Sequence, residues 1–176
     1  MIDRARSSVA LRTLQPDDRA PVHDIIERTG FFTPVEVATA LELIDAWLAR
    51  GEPSDYLCYV ATDPATQAVL GYVCFGPVPL TEGTYDLYWI AVDPEAQGRG
   101  VGRALLDYAE AEVARRQGRL VLIETSSQDK YQPTVRFYER CGYALLAHLT
   151  DFYRPGDDKL VFGKYLGDQA PAGSRR

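Results

Sequence analysis

The sequence predicts an α/β chain of mixed type, with about six to seven strands in one central sheet and about four flanking helices, and three observations carry this expectation. An aromatic and β-branched run over residues 85–92 is followed by a glycine-rich turn, then by a helical pattern with Leu105, Ala109 and Val113 at four-residue spacing. That helix leads into residues 120–124, an almost continuous apolar run of the kind found in a central strand covered on both faces. Strand, crossover helix and parallel strand thus follow one another. Upstream, residues 57–62 and 69–75 flank Asp63-Pro64-Ala65-Thr66-Gln67, a connection of hairpin length that predicts antiparallel pairing.

In chain order, residues 9–14 read as a first strand, closed by Gln15-Pro16-Asp17-Asp18, where an aspartate caps a helix carrying Val22, Ile25 and Ile26 to Gly30. Thr33-Pro34-Val35-Glu36 opens a second helix: Thr33 caps, Pro34 suits the first helical position, and Glu36 falls three residues after the cap. Val37, Leu41, Ile44 and Leu48 form its apolar stripe, which ends at Gly51. Residues 76–83 connect the hairpin to the 85–92 strand, and Asp93-Pro94 ends that strand because proline has no N–H for the ladder. The following helix runs from Arg103 to Gln117, with Gly118 where a left-handed terminal residue is wanted. A short helix over 133–141 stops at Gly142 before a strand over 143–149, and Arg154-Pro155-Gly156-Asp157-Asp158 turns the chain into a last strand from 159. One domain over residues 1–166 is expected, with 167–176 a small, polar, disordered tail.

Composition narrows the class. Hydrophobic content of 46% with 25% charged residues is ordinary for a globular chain, and no apolar run is long enough to span a bilayer. Met1-Ile2-Asp3-Arg4 lacks an apolar h-region, so the expected location is cytoplasmic, with no membrane partner. Cys58, Cys74 and Cys141 are odd in number and scattered without ligand spacing, which argues against a disulfide framework or a metal site. A net charge of −6 disfavours nucleic acid as a partner.

The turn after residues 85–92 carries the chemistry. Gly98, Gly100 and Gly102 remove the Cβ atoms that would hold a ligand off the backbone, and they open a helix whose first N–H groups and positive dipole end favour phosphate. Arg99 and Arg103 add positive charge. The dinucleotide spacing fails, because the sixth position from Gly98 is Arg103, and no Gly-Lys-Ser/Thr follows for a P-loop. Gln-x-x-Gly-x-Gly does fit, with Gln97, Gly100 and Gly102 directly after Ile90-Ala91-Val92-Asp93-Pro94.

This pattern resembles the coenzyme A signature of the GNAT superfamily of N-acetyltransferases. A second motif of that superfamily, alanine-x-x-Phe-Tyr-Glu before Gly-Phe or Gly-Tyr, is similar to Phe137-Tyr138-Glu139 and Gly142-Tyr143, with Thr134 at the alanine position and Tyr131 where an asparagine is often found. The resemblance spans about residues 9–166 and implies a sheet splayed between its fourth and fifth strands, with pantetheine lying there like an added strand. It implies that Ile90, Ala91 and Val92 meet pantetheine and the acyl carbonyl. Gln97, Gly98, Arg99, Gly100, Val101, Gly102 and Arg103 would hold the pyrophosphate.

The activity so implied is direct transfer of an acetyl group from acetyl-CoA, as co-substrate, to a primary amine of a small molecule or peptide, in a ternary complex. Tyr138 matches the family's general acid. Glu124 and Asp86, with Glu36 on a helix covering the site, are candidate bases, and a water chain is equally suited. Tyr59, Tyr88 and Trp89 are candidates for the acceptor pocket. His23 and His148 read as structural, and Cys141 as a small buried hydrophobe without a base partner. Dimerisation is common in the family, which allows a homodimer. The competing reading is a module of the same fold that binds acyl-CoA without turnover.

Overall fold

A computed structural model describes residues 9–52 and 54–167. The expected tail at 168–176 and the reading of the first four residues lie outside the described residues. Seven strands form a mixed sheet: β1 (Ala10–Thr13), β2 (Leu57–Thr62), β3 (Val69–Pro77), β4 (Thr84–Val92), β5 (Leu120–Ser126), β6 (Ala144–Arg154) and β7 (Asp157–Tyr165). Their hydrogen-bonded order is β1-β2-β3-β4-β5-β7-β6, and the four α-helices are α1 (Arg19–Thr29), α2 (Pro34–Arg50), α3 (Val101–Arg115) and α4 (Gln132–Arg140). No described helix is long and apolar enough to cross a membrane. The chain forms two compact units, one of Met1–Gly76 with Trp89–Ala109, the other of Pro77–Tyr88 with Glu110–Arg176.

In the first unit, β2 and β3 form the expected antiparallel hairpin, with Leu57 opposite Phe75 and Cys58 opposite Cys74. β3 meets the end of β4, where the Asp93 N–H donates to the Leu70 carbonyl at 2.9 Å. The approach is close: a Cβ on Gly71 would stand 2.7 Å from the Ala91 carbonyl oxygen and 3.1 Å from Leu105 Cδ1. Side chains from α1, α2, α3, β2 and β3 make the core, among them Ile25, Ile26, Ile44, Val60, Tyr72 and Leu105, all at most 1% exposed. The α2 start matches its expectation, with the Thr33 N–H donating to Glu36 at 2.7 Å and the Glu36 N–H donating to Thr33 Oγ1 at 3.3 Å. The buried stripe differs, running Val37, Ala40, Ile44, Trp47, because Trp47 turns inward and donates its indole N–H to the Leu14 carbonyl at 3.0 Å. The α1 cap also differs. Asp18 is nearly buried but makes no cap bond to α1; its carboxylate accepts two hydrogen bonds from Arg12, at 2.6 and 2.8 Å, and one from the Gln15 N–H at 2.8 Å.

In the second unit, the first half of β4 pairs in parallel with β5 from Thr84↔Leu120 to Leu87↔Ile123, and the register ends there although both strands continue. β5 runs on against β7 as far as Ser126↔Lys159. Its sides are unequal, contrary to the expected double cover: Val121, Ile123 and Thr125 are buried while Glu124 is exposed. The α3 end corrects another expectation, because the left-handed residue is Gln117 (φ +61°) rather than Gly118. The Gln117 N–H donates to Ala114 O at 2.9 Å and the Gly118 N–H to Val113 O at 2.8 Å, the paired 5→2 and 6→1 bonds of a Schellman end. Glycine is needed at 118 for space: a Cβ there would sit 2.8 Å from Tyr85 Cε2 and closer still to Val113 Cγ1. Gly142, at φ +87°, stops α4 as expected. β6 is the outer strand of the sheet, with Leu145, Phe152 and Tyr153 exposed.

Gly71 therefore sets how near β3 can come to β4. Gly71→Ala is expected to cost about 1–3 kcal/mol by overpacking, read as a lowered urea midpoint with an unchanged denaturant slope. A wild-type midpoint would show that β4 yields freely at Ala91.

Candidate active site

β4 ends where Asp93 turns its carboxylate back on the Glu95 N–H at 2.9 Å, and Pro94–Ala96 makes one tight turn. The stretch from Gln97 to Gly100 is exposed, and Gly98 and Gly100 hold φ of +74° and +83°. A Cβ on either would meet no protein atom within 4 Å, so glycine is required here by backbone angle, and the space beside the turn is open. α3 starts at Val101, two residues before Arg103, which places Gly102 inside its first turn. The Ala104 N–H is bonded to the Gly100 carbonyl at 3.0 Å, and the N–H groups ahead of it belong to the end of a helix that has no internal acceptors for them. Ile90, Ala91, Val92, Gln97, Gly98, Arg99, Gly100, Val101, Gly102 and Arg103 thus lie on one continuous strand–turn–helix in a single unit. Arg99 is exposed at the turn, whereas Arg103 donates to Asp107 at 2.7 Å one helical turn on. Residues of this type, on an open left-handed turn before a 15-residue helix, suit an anionic diphosphate.

The C-terminal end of α1 is fastened to this strand. Arg28 donates to Asp93 at 3.1 and 2.8 Å, and the guanidinium holds the Asp93 carboxyl below the usual carboxylate range. Trp89, on β4, meets the Phe32 ring edge to face at a centroid distance of 5.0 Å.

The second unit holds the titratable side chains. Tyr138 is 4% exposed, with the rings of Phe137, Tyr143 and Phe162 centred 5.5, 6.1 and 6.3 Å from its own. Burial pushes its phenol well above the ordinary value of 10, so it stays protonated at any physiological pH. Asp86 is half-buried on β4; burial, then the negative charge of Glu124, raise its carboxyl, and Lys159 pulls in the other direction. Lys159 is ion-paired with Glu124 at 2.5 Å and stands 4.6 Å from the centroid of the Phe152 ring. Of the two candidate carboxylates, Glu124 is thus committed to a cation while Asp86 is the one drawn toward its protonated form. Lys159 escaped the sequence reading because only the β5–β7 register brings it to Glu124.

Two expected residues, Glu36 and Tyr59, fall elsewhere. Glu36 is engaged in the Thr33 cap, where its carboxylate accepts from the N–H and the hydroxyl at 2.7 and 2.8 Å. Tyr59 is 2% exposed in an aromatic core cluster, 5.8 Å from Phe75 and 5.0 Å from Tyr108, so it lines the interior rather than an open pocket. His148 pairs with Asp158 at 2.5 Å and His23 lies 3.4 Å from Glu27. Tyr88 is 36% exposed, and all three cysteines are free and buried.

Known proteins share the fold and the family. The family model for an acetyltransferase (GNAT) domain matches residues 54–145, which takes in β2 through the start of β6. A solved GNAT-family structure from Desulfovibrio desulfuricans superposes with a TM-score of 0.87 at 46% identity, covering 91% of this chain and 100% of that one. A Salmonella typhimurium structure solved with acetyl-CoA as its cofactor has a TM-score of 0.70 at 20% identity, covering 96% of this chain and 99% of that one, and shares the fold. The S-(2-succino)cysteine N-acetyltransferase of Bacillus subtilis is 30% identical over 69 residues, 39% of this chain and only 42% of that protein's length. With a family model over more than half its length, and a relative 46% identical over nearly all of it, the chain belongs to the GNAT family of acetyltransferases.

Proposed function

We propose that the protein transfers an acetyl group from acetyl-CoA directly to a primary amine. The observation that supports this most is the open turn at Gly98 and Gly100, held in left-handed geometry between the end of β4 and the start of α3. In this reading the backbone of residues 97–103 receives the pyrophosphate with Arg99 beside it, and the strand edge at Ile90 to Val92 receives pantetheine. Acetyl-CoA supplies the acetyl group as a thioester, which a neutral amine can attack.

An alkylammonium must lose a proton before it is a nucleophile. Asp86 is the base in this reading, because burial and then the charge of Glu124 raise its carboxyl, while Glu124 is tied to Lys159. Tyr138 is the acid: burial keeps it protonated, so it always has a proton to give as the carbon–sulfur bond breaks and the new carbon–nitrogen bond forms. Tyr131 stands where the family often has asparagine, so coenzyme binding rests more heavily on the glycine turn.

Three outcomes test the reading. Tyr138→Phe should lower kcat by about 10²-fold or more while the acetyl-CoA Kd stays within about twofold, and retained turnover would remove Tyr138 from the reaction. Gly100→Ala, strained at φ +83°, should cost about 1 kcal/mol of stability and weaken coenzyme A binding measured by calorimetry; full affinity would move the pyrophosphate elsewhere.

The third concerns Asp86, whose folded pKa lies above its unfolded one. Its ionisation therefore opposes folding as pH rises through the folded value. Asp86→Asn should be relatively more stable than wild type at pH 7 than at pH 3, and slower in turnover. In carboxyl-carbon NMR of the wild type, the Asp86 titration should fall with Glu124→Gln and rise with Lys159→Met. Acetyl-CoA binding with no turnover across a panel of amines would favour a binding module instead.

A further inference from the structure

Among the described residues, five of the eight large apolar side chains that stand exposed lie on one strand: Leu145, Leu146, Leu149, Phe152 and Tyr153 of β6, each between 42% and 52% exposed. About half of five such side chains is on the order of 500 Å² of apolar surface, at the upper end of what a monomer leaves bare. β6 is also an eleven-residue sheet edge. Residues 144–153 contain neither lysine nor proline, the residues that commonly guard an edge against association.

Strand register explains why this surface is bare. Leu149 stands opposite Lys159, the Phe152 ring is centred 4.6 Å from the Lys159 ammonium, and a Cβ on Gly163 would meet both Leu146 and Leu122. Leu146, Leu149 and Phe152 thus share one face of the sheet with Leu122 and Lys159. Helices of the same unit use the other face: Tyr138 of α4 lies against Phe162, and Lys164 donates to Glu110 of α3.

Charges around the bare face are engaged within the chain. Lys159 holds Glu124, His148 holds Asp158, Arg154 lies 3.6 Å from Asp157, and the Asp151 carboxylate accepts from the Gly156 N–H at 2.6 Å. A partner recognised by charge gains little from groups so engaged. An identical surface turned about a twofold axis brings apolar residues to apolar residues without setting an unpaired charge against its like. With the rest of exposed β6 around it, the face approaches the roughly 800 Å² per partner that a stable interface buries.

We infer that β6 is the interface of a homodimer, in which two copies of this chain pack their bare faces together about a twofold axis. Register shifts after Leu145 and after Leu149 interrupt the outer row of backbone groups, so side-chain burial rather than a continuous ladder supplies the contact. The dimer needs neither donor nor acceptor, so its readouts are independent of acetyl transfer.

Sedimentation equilibrium of the full chain should find a dimer at about 10 µM, since interfaces of this size bind at micromolar concentration or tighter. Leu146→Asp and Leu149→Asp each put two carboxylates into a twofold contact, and should weaken the dimer at least about 10-fold while keeping a cooperative urea transition. Val35→Asp, at an exposed apolar position on α2, should leave it intact. Raising NaCl from about 0.1 to about 0.5 M should leave the dimer as tight or tighter, because each copy carries a net charge of −6. In wild type, without any substitution, β6 amides should lose hydrogen-exchange protection on dilution. A monomeric wild type would overturn the dimer and give the face to a partner of another kind. Unchanged affinity in both β6 variants, a dimer lost in Val35→Asp or dissociated by salt, or β6 exchange that ignores dilution would overturn it as well.

Discussion

The structure depends on where β4 stops pairing with β5. A strand in a sheet has two rows of backbone groups, and a buried donor or acceptor left without a partner costs about 1–3 kcal/mol. Along residues 84–87 β4 is paired with β5; beyond Leu87↔Ile123 that register ends while β4 runs five residues further. β5 does not turn away in disorder, since its other edge stays paired to β7 through Ser126. In the acetyl-transfer proposal the rest of β4 is an unfinished ladder, and an extended chain with alternating donors and acceptors is the kind of ligand that completes one.

An unfinished ladder is useful only if the strand is held straight without it. Three contacts do this for β4 in the first unit. Gly71 lets β3 approach so closely that a Cβ on it would stand 2.7 Å from the Ala91 carbonyl oxygen, the Asp93 N–H donates to the Leu70 carbonyl, and Arg28 grips the Asp93 carboxylate from α1. Asp93 is the hinge of this arrangement: it ends the strand, caps the following turn through the Glu95 N–H and anchors a helix. The rigidity of the strand end and the open glycine turn four residues later are parts of one design, in which Pro94–Ala96 passes the chain directly from the anchored strand to the start of α3.

How much of this was legible in the sequence follows the range of each interaction. The Thr33 cap, the β2–β3 hairpin, the Gly142 stop and the strand–turn–helix that begins at residues 85–92 are signalled within a few residues of themselves, and each forms as expected, with the helix at Val101–Arg115 instead of Arg103 to Gln117. The errors are tertiary. Asp18 reads as a cap from its neighbours, but Arg12 on β1 captures it; Gly118 reads as the left-handed residue, but Gln117 takes that angle, and glycine stands at 118 because the space beside Tyr85 and Val113 admits no Cβ. Tyr59 looks like a pocket aromatic until Trp47, Phe75 and Tyr108 close around it.

The same distinction decides between the two candidate carboxylates, which the sequence leaves equal. Glu124 and Asp86 lie on neighbouring parallel strands, and the negative charge of Glu124 adds to burial in raising the Asp86 carboxyl. Lys159, delivered by the β5–β7 register, breaks the tie by pairing with Glu124, and the Phe152 ring under its ammonium keeps it there. Among the described residues Asp86 has no such partner: half-burial, and after it the field of Glu124, favour its neutral form. A carboxyl made reluctant to ionise binds a proton more tightly than a free one, which is what removing a proton from an ammonium ion demands. The asymmetry between acid-base candidates is therefore a product of strand register, and no local motif at residue 86 or 124 encodes it.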